Sequence, residues 1–260
     1  MKTPLIVLLS SLTLLTTRAV GANVLFDFDS APLLAPLPIT LTVGGITAQF
    51  SATGQSFSIQ LANTMGFTPA GFAGNCIYPS SIYASDLHIS FSQPLTAFSI
   101  LYAPEEYACD SSARMRVRAY MDGFEVGTTT TNAQPGTWPS QTLAISPGRN
   151  FNSVVVHYDA PPPTGGDYGV IFMADNMLVT PAPPPIVLTD IVKLANGMFQ
   201  FSFTNEPAMS CSVWATSDLP KPFNQWTLAG TPTEISPGQY QFTDTQSSLD
   251  GHKFYRVSSP

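Results

Sequence analysis

Apolar and polar residues alternate along most of this chain with a period of two. From Ser56 to Ala62, Phe57, Ile59 and Leu61 interleave with Ser56, Ser58 and Gln60, and from Phe199 to Thr204 three phenylalanines interleave with Gln200, Ser202 and Thr204. A period of two sends the two sets to opposite faces of a strand. "ITLTVGGITAQFSA" (39–52) is two such runs joined by Gly44-Gly45, and "RMRVRAYMDGFEVGTTTT" (114–131) is two joined by Asp122-Gly123. Both dipeptides are hairpin turns. "DLHISFSQPLTAFSILYA" (86–103) reads as two strands broken at Gln93-Pro94. Beyond the first 22 residues no stretch shows a 3.6-residue apolar rhythm. Turn signals about every 8–12 residues predict antiparallel sheets with one packed and one wet face, arranged as β-sandwiches.

Composition agrees with that pattern. Only 10% of the 260 residues are charged, against about 25% in ordinary soluble domains, while Pro (24) and Gly (18) supply turns. The first 22 residues differ from the rest. Lys2 precedes an apolar run from Leu5 to Leu15, and Val20-Gly21-Ala22 offers small residues to a signal peptidase. A secretory signal peptide cut after Ala22 is expected, because the run is too short to span a bilayer. This places the mature protein outside the cell or in the periplasm. Removing Lys2 and Arg18 from ten bases leaves eight against seventeen acids, a formal charge of −9. Such a chain is a poor partner for nucleic acid or anionic lipid.

"TPAPPPI" (180–186) divides what remains, since consecutive prolines cannot feed a sheet ladder and form a stiff spacer. The expected plan is a sandwich over 23–180, a linker at 181–185 and a second, smaller sandwich over 186–260. In the latter, "FQFSFTN", "CSVWATSDL", the tryptophan of "NQWTLAG", "EISPGQYQFTD" and "KFYRVSSP" resemble an immunoglobulin-like module found at the C-terminal ends of secreted bacterial proteins. That resemblance implies a fold and no activity. In the former, the opening "FDFDS", the hairpin "YMDGFEVGT" and the ending "VIFMADNMLV" resemble the galactose-binding-like jelly rolls that include many carbohydrate-binding modules. The resemblance implies one structural calcium held by an acid of the first strand, Asp27 or Asp29, and Asp175 of the last. A carboxylate inside an apolar strand needs a partner or a metal, and calcium completes its shell with carbonyls and water. A turn cap or an arginine partner would serve Asp175 equally.

Several residues carry candidate chemistry. In an oxidising compartment two of the three cysteines are expected to pair. Cys76 and Cys109 lie in two stretches that read as loops, and a bridge between them would contribute roughly 3–4 kcal/mol. Cys211 reads as a small apolar strand residue. Arg114, Arg116, Arg118 and Tyr120 alternate with Met115, Val117 and Ala119, a basic stripe that is either a ligand face or a row of cross-strand ion pairs. Tyr78, Tyr83 and Tyr107, in loops rich in Gly, Ser and aromatics, and Trp138 of "GTWPSQ" are candidate contacts for a carbohydrate or surface polymer. Trp214 and Trp226 are expected in the second core. Glu105, Glu106 and Asp110 read as a solvated acidic loop. The nucleophile elbow, HExxH and P-loop patterns are absent. The reading is a secreted, non-catalytic binding or structural protein. The alternative, a glycan hydrolase, requires two carboxyls facing each other across a cleft.

Overall fold

A computed structural model describes residues 22–54, 56–160, 169–246 and 252–259. The expected signal peptide lies outside the described residues except for Ala22. Among those described, no helix is long and apolar enough to cross a membrane. The chain forms two compact units that divide between Ala182 and Pro183. The division falls inside the proline block, because Pro181 still pairs with Leu95 and the Ala182 N–H donates to the Pro94 carbonyl at 2.9 Å.

The first unit is an antiparallel jelly-roll β-sandwich. Its strands are β1 (Val24–Phe26), β2 (Ile39–Val43), β3 (Ile46–Gly54), β4 (Phe57–Leu61), β5 (Asn75–Pro79), β6 (Ser85–Pro104), β7 (Arg114–Met121), β8 (Phe124–Asn132), β9 (Gln141–Ile145), β10 (Phe151–Ala160) and β11 (Phe172–Pro181). The expected break at Gln93-Pro94 is instead a bend within the single long strand β6. Its first half lies between β3 and β10, and its second half lies between β9 and β11. The phase of burial changes across the bend. Leu87, Ile89 and Phe91 face the core before it, and Phe98, Ile100 and Tyr102 after it. Pro94 has no N–H to lose from a ladder, which suits it to the place where the strand passes from one layer to the other. Phe26, Phe50, Phe57, Phe151 and Phe172 fill the space between layers with essentially no exposure. Each stabilises the fold by about 2 kcal/mol through burial alone. Both expected hairpin turns form, with Gly44, Gly45, Asp122 and Gly123 all at positive φ.

A second layer covers the outer side of the β5–β11–β6 sheet. Phe72 and Ala62, at the two ends of the 62–74 connection, pack over Cys76, Tyr78, Ala103 and Met173. The connection is therefore a lid on a satellite core.

The second unit is a small immunoglobulin- or fibronectin-like sandwich. β12 (Thr189–Lys193), β13 (Phe199–Thr204), β17 (Gln239–Asp244) and β16 (Thr233–Ser236) make one sheet; β15 (Thr227–Gly230), β14 (Ser212–Thr216) and β18 (Phe254–Ser258) make the other. Phe201, Phe203, Cys211, Val213, Tyr240 and Phe242 form its core. Cys211 is the small apolar core residue expected, although it sits just before β14 and not in the strand. Trp214 and Trp226 are not core residues. Alternation along β14 turns Val213 and Ala215 inward, so Trp214 faces out, and Trp226 precedes β15.

Candidate functional site

The two ends of the first unit meet at Asp175. It is 1% exposed, on the covered side of β11, where the ladder to β6 is bulged between Asp175 and Leu178. Its carboxylate accepts the N–H of Ala73 at 3.2 Å and of Asn176 at 2.7 Å. Neither Asp27 nor Asp29 lies in the first strand as expected. β1 ends at Phe26, and the two acids lie in a turn where Asp27 Oδ1 accepts the Asp29 N–H at 3.2 Å. Asp29 Oδ1 in turn accepts the Asn75 N–H at 2.8 Å. The lid segment 71–75 is therefore held from both sides, with the Asn176 side chain donating to the Gly71 carbonyl at 3.1 Å. Gly74 is required here: a Cβ would stand 1.9 Å from Asp29 Oδ1. Burial pushes the Asp175 carboxyl up to about 6. The two N–H bonds oppose this, and the charges of Asp29 and Asp27 add to it.

No Lys or Arg makes an ion pair with these three acids among the described residues. Nor are three or more His, Cys, Asp or Glu there arranged to hold a metal. The corner thus has the oxygen donors and acid surplus that suit a hard cation, without a cage of three carboxylates. A calcium ion would rest on one or two of them with carbonyls and water.

Glu105 and Glu106 are not a solvated loop; they are 3% and 0% exposed. They continue the alternation of β6 past its end. Glu105 falls on the covered outer side with Tyr78, and Glu106 on the inner side, where Tyr158 Oη donates to its Oε1 at 3.0 Å. Burial raises Glu105 to about 7 against the pull of its Tyr78 hydrogen bond, and its Oε1 has no partner among the described residues. Tyr78 is consequently not an exposed contact; it is 7% exposed and belongs to the satellite core. The two glutamates point to opposite sides of the sheet, so they do not form an opposed pair of acids.

The expected disulfide is absent, and all three cysteines are free and buried. Cys76 is in strand β5, not a loop, and faces the satellite core, whereas Cys109 packs into the main core. The two thiols thus pack into different clusters. Burial, with nearby carboxylates, pushes Cys76 up to about 12 and Cys109 up to about 11, so both stay protonated.

The basic stripe is spent on ion pairs. Arg114 Nε and Arg116 Nη1 hold the two oxygens of Asp159 at 2.7 and 2.6 Å. Arg118 bonds Tyr120 and stands 4.0 Å from Glu125. Beside them His157 Nδ1 bonds Asp86 Oδ1, and Thr53 pairs with His88 at 3.4 Å. Each of the three arginines has at least one acceptor, while Arg116 Nε is buried with none among the described residues, so this is a face laced by cross-strand pairs.

The aromatic rim is organised differently. Tyr107 is 53% exposed and its ring stacks on Trp138, with centroids 5.9 Å apart and planes at 27°. Phe67, 40% exposed, meets the same indole edge-on at 5.3 Å. Trp138 itself is 2% exposed, so it is the floor of the cluster and not its surface. The two segments beneath are tied together. Cys109 and Gly136 exchange backbone hydrogen bonds at 3.0 and 2.9 Å, the Trp138 N–H donates to Glu106 O at 2.7 Å, and Thr137 Oγ1 donates to Tyr107 O at 2.9 Å. Trp138 holds φ +43°, a conformation that costs a bulky residue about 1–3 kcal/mol and persists where surroundings impose it. Phe67 was not singled out in the sequence; it lies midway along the 62–74 lid, and nothing local shows that it reaches Trp138. Tyr83 is 67% exposed on the 80–84 connection and makes no ring contact with this cluster among the described residues.

No protein-family model matches the chain, and no curated protein matches it. Solved structures of similar fold include the K2 cleaved adhesin domain of Lys-gingipain, with 14% identity, 61% of this chain and 99% of that chain covered, and a TM-score of 0.37. The family 11 carbohydrate-binding module of Clostridium thermocellum, in complex with a beta-1,3-1,4-mixed-linked tetrasaccharide, gives 14% identity, 63% and 98% coverage and a TM-score of 0.30. The CBM51-2 and INT domains of ZmpB from Clostridium perfringens give 12% identity over 54% of this chain and 38% of that one, with a TM-score of 0.31. At these identities and TM-scores the likeness assigns neither ligand nor site residues to this chain.

Proposed function

We propose that the protein is a secreted, non-catalytic binding protein whose first unit takes carbohydrate on the rim formed by Phe67, Tyr107 and the Trp138 floor. The observation that carries the reading is the exposed Tyr107 ring, stacked on a buried indole and borne on segments locked to each other by four hydrogen bonds. A pre-set aromatic surface meets the apolar face of a sugar ring with little conformational entropy left to lose. Tyr83 would extend the contact surface. Hydrolysis lacks support, since Glu105 and Glu106 face opposite ways and neither can complete an acid pair with the other. The test is a glycan array with the mature chain (residues 23–260), followed by titration of the best glycan. Tyr107→Ala is expected to weaken binding by about 30-fold, the loss of one central aromatic anchor. A blank array with folded protein overturns the proposal in favour of a purely structural role.

Calcium belongs to the same proposal as a structural ion at Asp175 and Asp29, where it would relieve the crowding of carboxylates. Adding 1 mM calcium to EDTA-treated protein should then raise Tm, as binding to the folded state alone must. Asp175→Asn should abolish that rise. An unchanged Tm removes the ion and leaves the hydrogen-bonded clamp on its own.

A further inference from the structure

The outer face of the three-stranded sheet in the second unit is built like a ligand platform. Trp214 on β14 lies opposite Arg256 on β18 and Leu228 on β15, all directed away from the core. The connection from β14 to β15 folds back over this face. Its 3-10 turn, Phe223–Gln225, sets the Phe223 ring 5.5 Å from that of Trp214 and 5.9 Å from that of Trp226. The Arg256 guanidinium carbon stands 4.2 Å from the Phe223 centroid. Phe223 is 36% exposed, both tryptophans are half-buried and Arg256 is exposed.

Two details narrow what such a face can take. Both indole N–H groups are already used: Trp214 Nε1 donates to Ser258 Oγ and Trp226 Nε1 to the Lys221 carbonyl, each at 3.0 Å. The rings are thus fixed in place and offer faces and edges without a free donor. That disfavours a proline-rich peptide, whose carbonyls seek an indole N–H. Arg256, by contrast, makes no ion pair among the described residues, so its fork remains available to an anion. An apolar protein partner would bury that cation unpaired at the centre of the contact, at high cost.

We propose that this face is a second ligand site and that its ligand is an acidic polysaccharide of uronic-acid units. Sugar rings lie against Phe223 and the pinned indoles, and a uronate carboxylate takes the guanidinium fork of Arg256, the planar pairing that lysine cannot reproduce. The site is independent of the Tyr107 rim.

Affinity electrophoresis of the mature chain through gels containing polygalacturonate tests it, with neutral dextran, dextran sulfate and oligo(dT) as comparisons. The chain should be retarded by polygalacturonate and not by dextran. Arg256→Gln and Phe223→Ala should each weaken retardation by about 10-fold, while Tyr107→Ala leaves it unchanged. Retention of melting temperature and circular dichroism certifies each variant, and Arg256→Gln, which empties no core position, carries the test if Phe223→Ala does not fold. The proposal is overturned by any of four results: no retardation, retardation unaffected by Arg256→Gln, retardation lost in Tyr107→Ala instead, or equal retardation by dextran sulfate or oligo(dT).

Discussion

Two faces of the first unit carry acids, and they treat them in opposite ways. On the wet face of β7 and β10, burial would raise Asp159, yet the hydrogen bond from Arg114 and the charges of Arg116, Arg114 and His157 outweigh it and hold its carboxyl below the usual range. On the covered side of β5, β11 and β6, burial raises Asp175 and Glu105, and no cation answers it. The difference follows from what each face lets in. An open face accommodates long arginine side chains that keep their heads in water. A layer sealed by the 62–74 lid admits only backbone N–H groups and tyrosine hydroxyls. The wet face is therefore finished with ion pairs around its acid, whereas the covered layer is where burial favours a proton.

The strongest way to break this contrast is to break the lid's clamp. Gly74→Ala puts a Cβ 1.9 Å from Asp29 Oδ1 at φ +55°. It should cost about 3–4 kcal/mol in urea unfolding, the sum of a left-handed backbone penalty and a lost hydrogen bond to a charged group. Gly123→Ala, at φ +85° with nothing within 4 Å of the added Cβ, should cost about 1 kcal/mol. Equal costs at the two glycines would mean that Asp29 does not hold the lid.

Glu105 sharpens the contrast through pH. Its carboxyl goes from 4.5 to about 7 on folding, so the folded state binds more protons between those values. Stability from this group is therefore unaffected below about pH 4.5 and falls as pH rises through 7. A rise of between two and three pH units corresponds to about 3 kcal/mol. In Glu105→Gln the loss of stability between pH 4.5 and pH 8 should shrink by that amount, measured by urea unfolding in EDTA. The constant effect of the amide cancels in the difference. An unaltered pH dependence would show that Glu105 is solvated, and the covered layer would lose one of its two acids.

Much of the fold was legible because it rests on local pattern. The alternation of Phe57, Ile59 and Leu61, and the Gly44-Gly45 and Asp122-Gly123 turns, act through nearest neighbours and formed as read. What failed depended on knowing which of two faces is covered. Glu105, Cys76 and Tyr78 looked like loop residues because the lid that covers their side of the sheet is contributed by residues 62–74, and no periodicity announces a lid. Pro94 looked like a strand break because a strand shared between two layers has no local mark beyond its change of phase. The misplaced acid in an apolar run marked Asp175 as needing a partner, and only the jelly-roll resemblance pointed it toward Asp27 or Asp29; its hydrogen-bond partners are instead the backbone N–H groups of Ala73 and Asn176. Phe67 and Trp138 carried no such conflict, and only the tertiary fold brings them together.

The smallest effect should come from the finished face. Asp159→Asn removes the acceptor shared by Arg114 and Arg116. Arg114 is half exposed, so solvent screens the pair and the cost at pH 7 should be about 1 kcal/mol. The sign with pH is opposite to that of Glu105. A carboxyl held below its unfolded value contributes above that value, and the contribution is lost as the solution is acidified past it. Wild type and Asp159→Asn should therefore converge toward pH 3, while wild type and Glu105→Gln diverge toward pH 8. If the Asp159 variant instead loses several kcal/mol at neutral pH, the arginine row is holding β7 to β10, and the wet face is a structural seam and not a solvated surface.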